Sequence, residues 1–344
     1  MADLKSYLPW ASQPLIVNAP MAGFANGNLA SAVSLAGGLG LIGGLFSIED
    51  LRKDLTIAST SLKSISSPQS TLPIGVGLLP FISKIEDISP VIAEFKPTVV
   101  WLFATKELDD YATWASAIRQ ASPETKIWIQ VGSVSAALHV SRTASPDALC
   151  LQGADAGGHG FERGAGIISL LPEASDALSR SGFGHIPLIA AGGIVDGRGV
   201  TAALALGAQA VVMGTRFLAA REVTIHPNYL AAVLGAEDGG QVTTRSKVFD
   251  ELRGPSIWPD VYDGRSLVVK SWREWKEGTG IEEIRAKHNE EAKGEDGGYR
   301  GLEGRTAIWA GTGVGIVRKV EDAGDIVRGI KEEVESILAR LGRR

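Results

Sequence analysis

Apolar residues within positions 1–220 occur in eight short runs, most of them continuous instead of alternating with polar residues. Continuous hydrophobicity is typical of strands that are buried on both faces, as in parallel sheets. Segments of helical character separate the runs, beginning with a small-residue helix over Asn28–Leu35. The eight predicted strands are Pro14–Met21, Gly38–Gly44, Pro73–Leu79, Thr98–Ala104, Lys126–Gly132, Ala148–Gly153, Pro187–Ile194 and Ala210–Phe217.

This alternation predicts parallel strands with helical crossovers, which form either an open doubly wound sheet or a closed barrel. Eight units in about 220 residues match the (β/α)8 barrel, so we predict an α/β protein with a TIM barrel over residues 1–220. Residues 221–305 are more polar and carry three tryptophans, which predicts a mainly helical insertion or cap after strand 8. We predict that residues 306–344 pack back on the barrel and end in an amphipathic helix, Ala323–Leu341. Its apolar face consists of Ile326, Ile330, Val334, Ile337 and Leu341.

Composition narrows the classes of function. The 344 residues are 44% hydrophobic and 21% charged, with a net charge of −5, which argues against binding to nucleic acid or to an anionic membrane. Cys150 is the only cysteine, so an intramolecular disulfide and a cysteine-rich metal site are excluded. The first residues lack a signal-peptide pattern, and no apolar run has the length of a membrane span. We expect a soluble, cytoplasmic protein, and a homodimer is left open.

The segment Leu149–Gly160, LCLQGADAGGHG, joins the end of a predicted strand to residues suited to chemistry. Gln152 supplies an amide, Asp155 a carboxylate, and His159 an imidazole whose ordinary pKa lies near neutrality. The same segment contains Gly157, Gly158 and Gly160. Because glycine lets the backbone approach a ligand closely, we predict a ligand-binding loop in which His159 transfers a proton. For an isolated histidine, a turn at the end of a strand with a solvated His159 is the simpler interpretation. The residues at the neighbouring strand ends decide between this turn and a ligand-binding loop.

Glycines also end the seventh and eighth predicted strands, at Gly192-Gly193 and at Met213-Gly214-Thr215. In (β/α)8 barrels the loops after these two strands commonly bind a phosphate through main-chain N–H groups. The sequence therefore predicts a phosphate site, with an additional hydrogen bond from the Thr215 hydroxyl. The alternative is that these glycines only relieve crowding at the barrel rim.

Other predicted strands present apolar and amide groups at the same rim. These residues are Pro20, Met21, Gly77, Gln130 and Gln152. A phosphate site, an apolar floor and amide partners together suit flavin mononucleotide, FMN, whose ring needs the last two features. No convincing metal site is found, because Pro227 would end any helix that carries Glu222 and His226. His139, His185 and His288 are interpreted as surface or loop residues.

The chain resembles the nitronate monooxygenases, formerly called 2-nitropropane dioxygenases, through motifs spread over nearly its whole length: NAPM, QGADAGGHG, AAGGI, VMGTRF and AGTGVG. The resemblance implies an FMN-dependent barrel enzyme that oxidises alkyl nitronates with O2 to a carbonyl compound and nitrite. It implies that His159 is the catalytic base and that Pro20 and Met21 line the flavin. Asp155 is a candidate to orient His159, and the alternative is that Asp155 only caps the loop. The other implied flavin contacts are Gln152, Gly157, Gly193 and Met213-Gly214-Thr215.

Two positions depart from the family pattern. Asp155 stands where the family often has Glu, and Gly77 stands where many relatives have Asn. Similar barrels also occur in NAD(P)H-dependent flavin reductases of the enoyl-acyl-carrier-protein reductase and quinone reductase types, and we keep these as the alternative function. A barrel that binds FMN without turnover is a third interpretation, against which the intact His159 argues.

Overall fold

A computed structural model describes residues 4–44, 47–66 and 71–342 and confirms the predicted (β/α)8 barrel. Each of the eight predicted runs overlaps one barrel strand. In chain order the strands are β1 (Leu15–Asn18), β2 (Leu41–Gly43), β3 (Leu72–Leu78), β4 (Pro97–Leu102), β5 (Lys126–Val131), β6 (Ala148–Gln152), β7 (Gly158–Phe161), β8 (Leu188–Ala191) and β9 (Ala210–Met213). Of these, β7 belongs to a second sheet, so the predicted seventh and eighth barrel strands are β8 and β9.

The barrel sheet has the spatial order β1-β9-β8-β6-β5-β4-β3-β2, and all of its pairings are parallel. It closes between β1 and β2, where the Leu39 N–H donates to the Ile16 carbonyl at 3.0 Å. The buried Asn18 side chain joins the same two strands, because its amide donates to the Leu41 carbonyl at 2.8 Å and accepts from the Leu41 N–H at 3.0 Å. A buried asparagine therefore supplies part of the closure that main-chain pairing leaves open.

Helices flank the barrel strands on the outside. They are α1 (Gly27–Leu35), α2 (Ile48–Ser61), α3 (Ile85–Phe95), α4 (Asp110–Ala121), α5 (Val134–Thr143), α6 (Ile167–Arg180) and α7 (Gly197–Ala205). Helix α6 was not among the predicted elements, although its buried residues Ile167, Leu170, Leu171, Ala174 and Leu178 recur at helical spacing.

Apolar side chains form two layers, one inside the barrel and one between the strands and the outer helices. Along β1, Leu15 and Val17 face the inner layer, while Ile16 faces the outer one. Trp101 and Trp128 fill the barrel interior, with ring centroids 6.2 Å apart. Both faces of each strand are thus covered, which explains why the runs are continuously apolar.

A second, three-stranded antiparallel sheet pairs β7 with β11 (Tyr262–Leu267) and β11 with β10 (Thr243–Ser246). Around it lie α8 (Pro227–Gly235), α9 (Gly239–Val242), α10 (Val248–Glu251), α11 (Lys270–Lys276) and α12 (Ile281–Glu291). The segment predicted as a helical cap thus contains five α-helices and also supplies two strands. The end of the predicted loop, from Gly158 onward, is a strand of this sheet. Short 3-10 helices span Leu4–Ser6, Thr215–Ala219, Gly301–Glu303 and Thr312–Ile316.

The last helix, α13 (Ala323–Leu341), has the predicted bounds and packs against α1 and α7. Ile330 and Val334 are buried as expected, whereas Leu341 is 52% exposed, so burial of the whole predicted stripe is wrong. The stripe runs past the end of the surface on which the helix packs. Among the described residues, no helix combines the length and the apolar character needed to cross a membrane.

Lys331 on α13 gives a pH-dependent prediction. Its ammonium donates to the Ser12 carbonyl, the Ser12 hydroxyl and the Gly37 carbonyl at 3.0, 2.6 and 2.8 Å, and burial lowers its pKa from 10.5 to about 8. The folded protein therefore holds this proton less tightly than the unfolded chain does, and the free energy of unfolding rises as pH goes from about 8 to 10.5. We expect thermal denaturation to show the wild type gaining stability over Lys331→Met across this range. A constant difference between the two proteins would contradict the assignment.

Candidate active site

A cavity of about 330 Å³ opens at the carboxyl ends of the barrel strands, where β7 and the segments around Trp258 and Trp309 face the rim. Most of the predicted site residues line it. These are Pro20, Met21, Gly77, Gln130, Gln152, Gly157, Gly158, His159, Gly192, Gly193, Gly214 and Thr215. Asp155 and Met213 lie outside the lining. The Met213 side chain is buried in the outer core layer, and its carbonyl accepts from the Ala19 N–H.

His159 enters the cavity from β7, where it lies opposite Gly264 of β11. Its Nε2 lies 2.6 Å from Oδ1 of Asp250, and its side chain is 16% exposed. The imidazole stacks on the Trp258 ring, with centroids 3.7 Å apart and planes 10° from parallel. The Trp309 ring also packs against the imidazole, with ring centroids 4.8 Å apart. The ring is therefore held by one hydrogen bond and two aromatic side chains.

The Asp155 side chain is hydrogen-bonded to Thr312, whereas the hydrogen-bond partner of the His159 side chain is Asp250, so the structure does not show the predicted hydrogen bond between Asp155 and His159. Oδ1 of Asp155 accepts from the Thr312 hydroxyl at 3.1 Å, and its carbonyl accepts from the Thr312 N–H at 3.0 Å. It also lies beside Gly193 at the rim. Asp155 thus joins the loop after β6 to the C-terminal segment, while His159 is carried away from it on β7.

Several main-chain N–H groups at the cavity donate no hydrogen bond within the described chain. They include those of Gly157, Gly192, Gly193, Gly214 and Thr215. Gly192 and Gly193 have φ of +104° and +74°, a conformation that favours glycine. A cluster of unsatisfied amides without side chains around it is the arrangement that binds a phosphate. The predicted phosphate site therefore has a suitable donor set.

The C-terminal segment completes this cluster. The Thr215 hydroxyl accepts from the Gly311 N–H at 2.9 Å, so this oxygen is already engaged as an acceptor. A Cβ on Gly157 would lie 2.4 Å from the Ala310 carbonyl carbon, which shows that the two backbones need glycine to pack this closely. Predicting this contact from the sequence was not possible, because Gly157 and Ala310 are far apart along the chain.

Apolar residues form one side of the cavity. A Cβ on Gly77 would lie 2.3 Å from Cβ of Pro20, so glycine at this position lets the proline ring pack on β3. Met21 lines the same cavity. Packing against Pro20 thus explains why this chain has glycine at position 77. The side chain of the asparagine that many relatives have at this position is absent from the cavity.

Two amides are held at the ends of β5 and β6. Oε1 of Gln130 accepts from the Trp101 indole at 3.1 Å, and Nε2 of Gln152 donates to the His159 carbonyl at 3.0 Å. Nε2 of Gln130 and Oε1 of Gln152 have no hydrogen-bond partner among the described residues and are left for a ligand. Both face the cavity, as the sequence analysis predicts.

Two arginines of the second sheet brace the loop that carries this chemistry. Arg265 donates to the Ala154 carbonyl at 3.2 and 3.0 Å, and burial lowers the pKa of its guanidinium. Arg245 donates to the Ala156 carbonyl at 3.4 Å and forms a buried ion pair with Asp263 at 2.6 Å. The second sheet thus fixes the loop between β6 and β7 by hydrogen bonds to the main-chain carbonyl groups of that loop.

A second cavity, of about 430 Å³, adjoins the first and shares Phe24, Tyr229, Trp258 and Trp309 as lining residues. Its charged and titratable lining residues are Asp250, Arg253, His288, Tyr229 and Tyr299. His288 is 1% exposed, so its interpretation as a surface or loop residue is wrong, and burial lowers its pKa. The described residues contain no cluster of three or more His, Cys, Asp or Glu side chains that could hold a metal ion.

A family model described as "Nitronate monooxygenase" matches residues 112–254. The nitronate monooxygenase npaC of Metarhizium robertsii is 44% identical over 349 aligned residues, covering 98% of this chain and 96% of the relative. The nitronate monooxygenase of Neurospora crassa is 35% identical, with 99% of this chain and 94% of the relative covered.

Solved structures agree with the fold. FabK from Thermotoga maritima has a TM-score of 0.76 at 28% identity, covering 98% of this chain and 97% of that one. The nitroalkane oxidase from Streptomyces ansochromogenes has a TM-score of 0.72 at 24% identity, with 95% and 98% covered, and at this identity it supports the fold alone. With 44% and 35% identity to curated members over nearly its full length, the chain belongs to the nitronate monooxygenase family of enzymes.

Proposed function

We propose that this enzyme binds FMN and oxidises alkyl nitronates with O2 to a carbonyl compound and nitrite. The observation that carries the proposal is that one cavity holds the His159 imidazole and the rim N–H groups of Gly193 and Thr215, among others, without an acceptor in the described chain. The two fungal relatives named as nitronate monooxygenases support the reaction class. Atoms balance when two nitronate anions and one O2 give two carbonyl compounds and two nitrite ions.

The residues at the cavity fit FMN part by part. The unsatisfied N–H groups, including those of Gly193 and Thr215, would bind the phosphate, and the apolar wall at Pro20 would support the ring. The amides of Gln130 and Gln152 have groups left to bond the polar edge of the ring. When bound, FMN would supply the electron transfer between substrate and O2, which no side chain in the cavity can provide.

His159 is the base in this proposal when the substrate is a neutral nitroalkane. Its Nδ1 makes no hydrogen bond within the described residues and is available to accept the proton of the carbon that carries the nitro group. With a nitronate that is already formed, the protonated imidazole would instead donate a hydrogen bond to the anion. The two tryptophans at the ring reduce the access of water to it.

The test is the visible absorption spectrum of the purified protein, followed by anaerobic addition of 2-nitropropane nitronate and, separately, of NADH. We expect flavin absorption, a loss of that absorption with the nitronate, and nitrite release once O2 is admitted. Complete bleaching by NADH with no response to the nitronate would instead support the reductase alternative. A colourless protein that cannot be reconstituted with FMN would exclude both functions.

A further inference from the structure

Asp250, on the short helix α10, is the hydrogen-bond partner of His159. Its side chain is 6% exposed, and Oδ1 lies 2.6 Å from Nε2 of the imidazole. An ionised carboxylate only accepts hydrogen bonds, so the ring nitrogen that faces it must carry a proton. In the neutral imidazole this leaves the lone pair on Nδ1.

The ring cannot readily turn to exchange its two nitrogens. The Trp258 ring lies nearly parallel to the imidazole, with ring centroids 3.7 Å apart, and the centroid of the Trp309 ring lies 4.8 Å from that of the imidazole. Rotation of the ring would sweep its edge through these contacts and break the bond to Asp250. The position of Nδ1 is therefore set by the same contacts that hold the ring.

Among the described residues, His159 is the only side chain that pairs with Asp250. Its second oxygen, Oδ2, is buried and has no hydrogen-bond partner there. The other charged or titratable groups near the pair are Arg253, His288, Tyr229 and Tyr299 at the second cavity and the Arg245–Asp263 ion pair of the second sheet. The carboxylate of Asp250 thus lies directly against the ring on which positive charge develops when Nδ1 accepts a proton.

We propose that Asp250 is the positioning residue of His159, holding the proton on Nε2 so that Nδ1 is the base, and stabilising the imidazolium that forms. The proposal rests on the proposed function for its role in turnover. In the step it supports, the C–H bond next to the nitro group breaks, its electron pair moves into the nitro group to give the nitronate, and the N–H bond forms on Nδ1. Asp250 gains no proton in this step.

The first test is independent of turnover. Nitrogen-15 NMR of labelled histidine, with the His159 signals assigned by their absence in His159→Asn, reports the tautomer of this ring. We expect the Nε2–H tautomer in the wild type and a mixture of both tautomers in Asp250→Asn, because an amide can present either its oxygen or its NH2 group to Nε2. Asp250→Glu should restore part of the Nε2–H population.

A matched control exists on the surface, where Oδ1 of Asp109 lies 2.6 Å from Nε2 of His139. Asp109→Asn should change the His139 signals and leave those of His159 as they are. The proposal is overturned if wild-type His159 carries its proton on Nδ1, or if Asp250→Asn leaves its tautomer unchanged.

The second readout is the ratio of two activities in proteins of equal FMN content. Asp250→Asn should lower kcat/KM for nitroethane by a factor of about 10–10³ and that for preformed ethylnitronate by less than about threefold. Equal losses for both substrates would show a structural role and overturn the proposal. If the wild type oxidises neither substrate, the proposed function fails, whereas the NMR result still decides the role of Asp250.

Discussion

His159→Asn is expected to lower kcat/KM for neutral nitroalkanes by a factor of about 10²–10⁴, the usual contribution of a general base, while FMN stays bound. Asparagine keeps the main-chain carbonyl that accepts from Gln152, so the loop after β6 retains its anchor. The unsatisfied N–H groups that would bind the phosphate come from other residues. Steady-state oxygen consumption with nitroethane, together with the flavin absorbance of the same sample, measures both effects.

The matched control is His139→Asn, which removes a histidine that is also paired with an aspartate but lies on the exposed surface. Its activity should stay within about twofold of the wild type. In His159→Asn the activity with preformed ethylnitronate should fall less than the activity with nitroethane, because the nitronate needs no proton removal. Full nitroethane turnover by His159→Asn would remove this residue from the mechanism, and loss of flavin would give it a binding role instead.

The barrel was predictable because its signal is local. Each strand is a continuous apolar run that is buried on both faces, and Leu15, Ile16 and Val17 show both faces within three residues. The bounds were less accurate, since the apolar run Ala210–Phe217 continues after β9 ends and enters a 3-10 helix at Thr215. Hydrophobicity marks burial, whereas a strand ends where its main-chain pairing ends.

The rim glycines were predictable for a related reason. A barrel brings the carboxyl ends of all its strands to one face, so residues such as Gly193 and Thr215 can be placed together once the strands are counted. Their unsatisfied N–H groups agree with that placement. The prediction needed only the order of the elements and no knowledge of side-chain contacts.

The partner of His159 could not be predicted in this way. Asp250 is 91 residues away along the chain and reaches the imidazole only because β7 joins a sheet with β10 and β11. Asp155 is the nearer carboxylate in sequence, but it is hydrogen-bonded to Thr312, whereas His159 lies on β7 in the second sheet. The signal that was missed is the strand within the glycine-rich loop, where glycine at 158 and 160 obscured the strand pattern.

Gly193→Val is expected to raise the Kd for FMN by about tenfold or more. Position 193 has φ of +74°, which a β-branched residue adopts at a cost of about 1–3 kcal/mol, and a Cβ there would lie 3.1 Å from Cβ of Asp155. The chain can relieve this strain only by turning the peptide, which would take the Gly193 N–H away from the site. A loss of about 1.4 kcal/mol in binding corresponds to the tenfold change. Fluorescence titration of the FMN-free protein with FMN measures it.

Gly207→Val separates this effect from general backbone strain. Gly207 has φ of +101° and open space at its Cβ position, and it lies after α7 instead of at the cavity. Both variants should lose thermal stability, because both force valine into a left-handed conformation. Only Gly193→Val should lose affinity for FMN. If it binds FMN as tightly as the Gly207 variant does, the N–H groups of the loop after β8 do not hold the phosphate, and the donor set must be reassigned to the amides of Gly157 and Gly214.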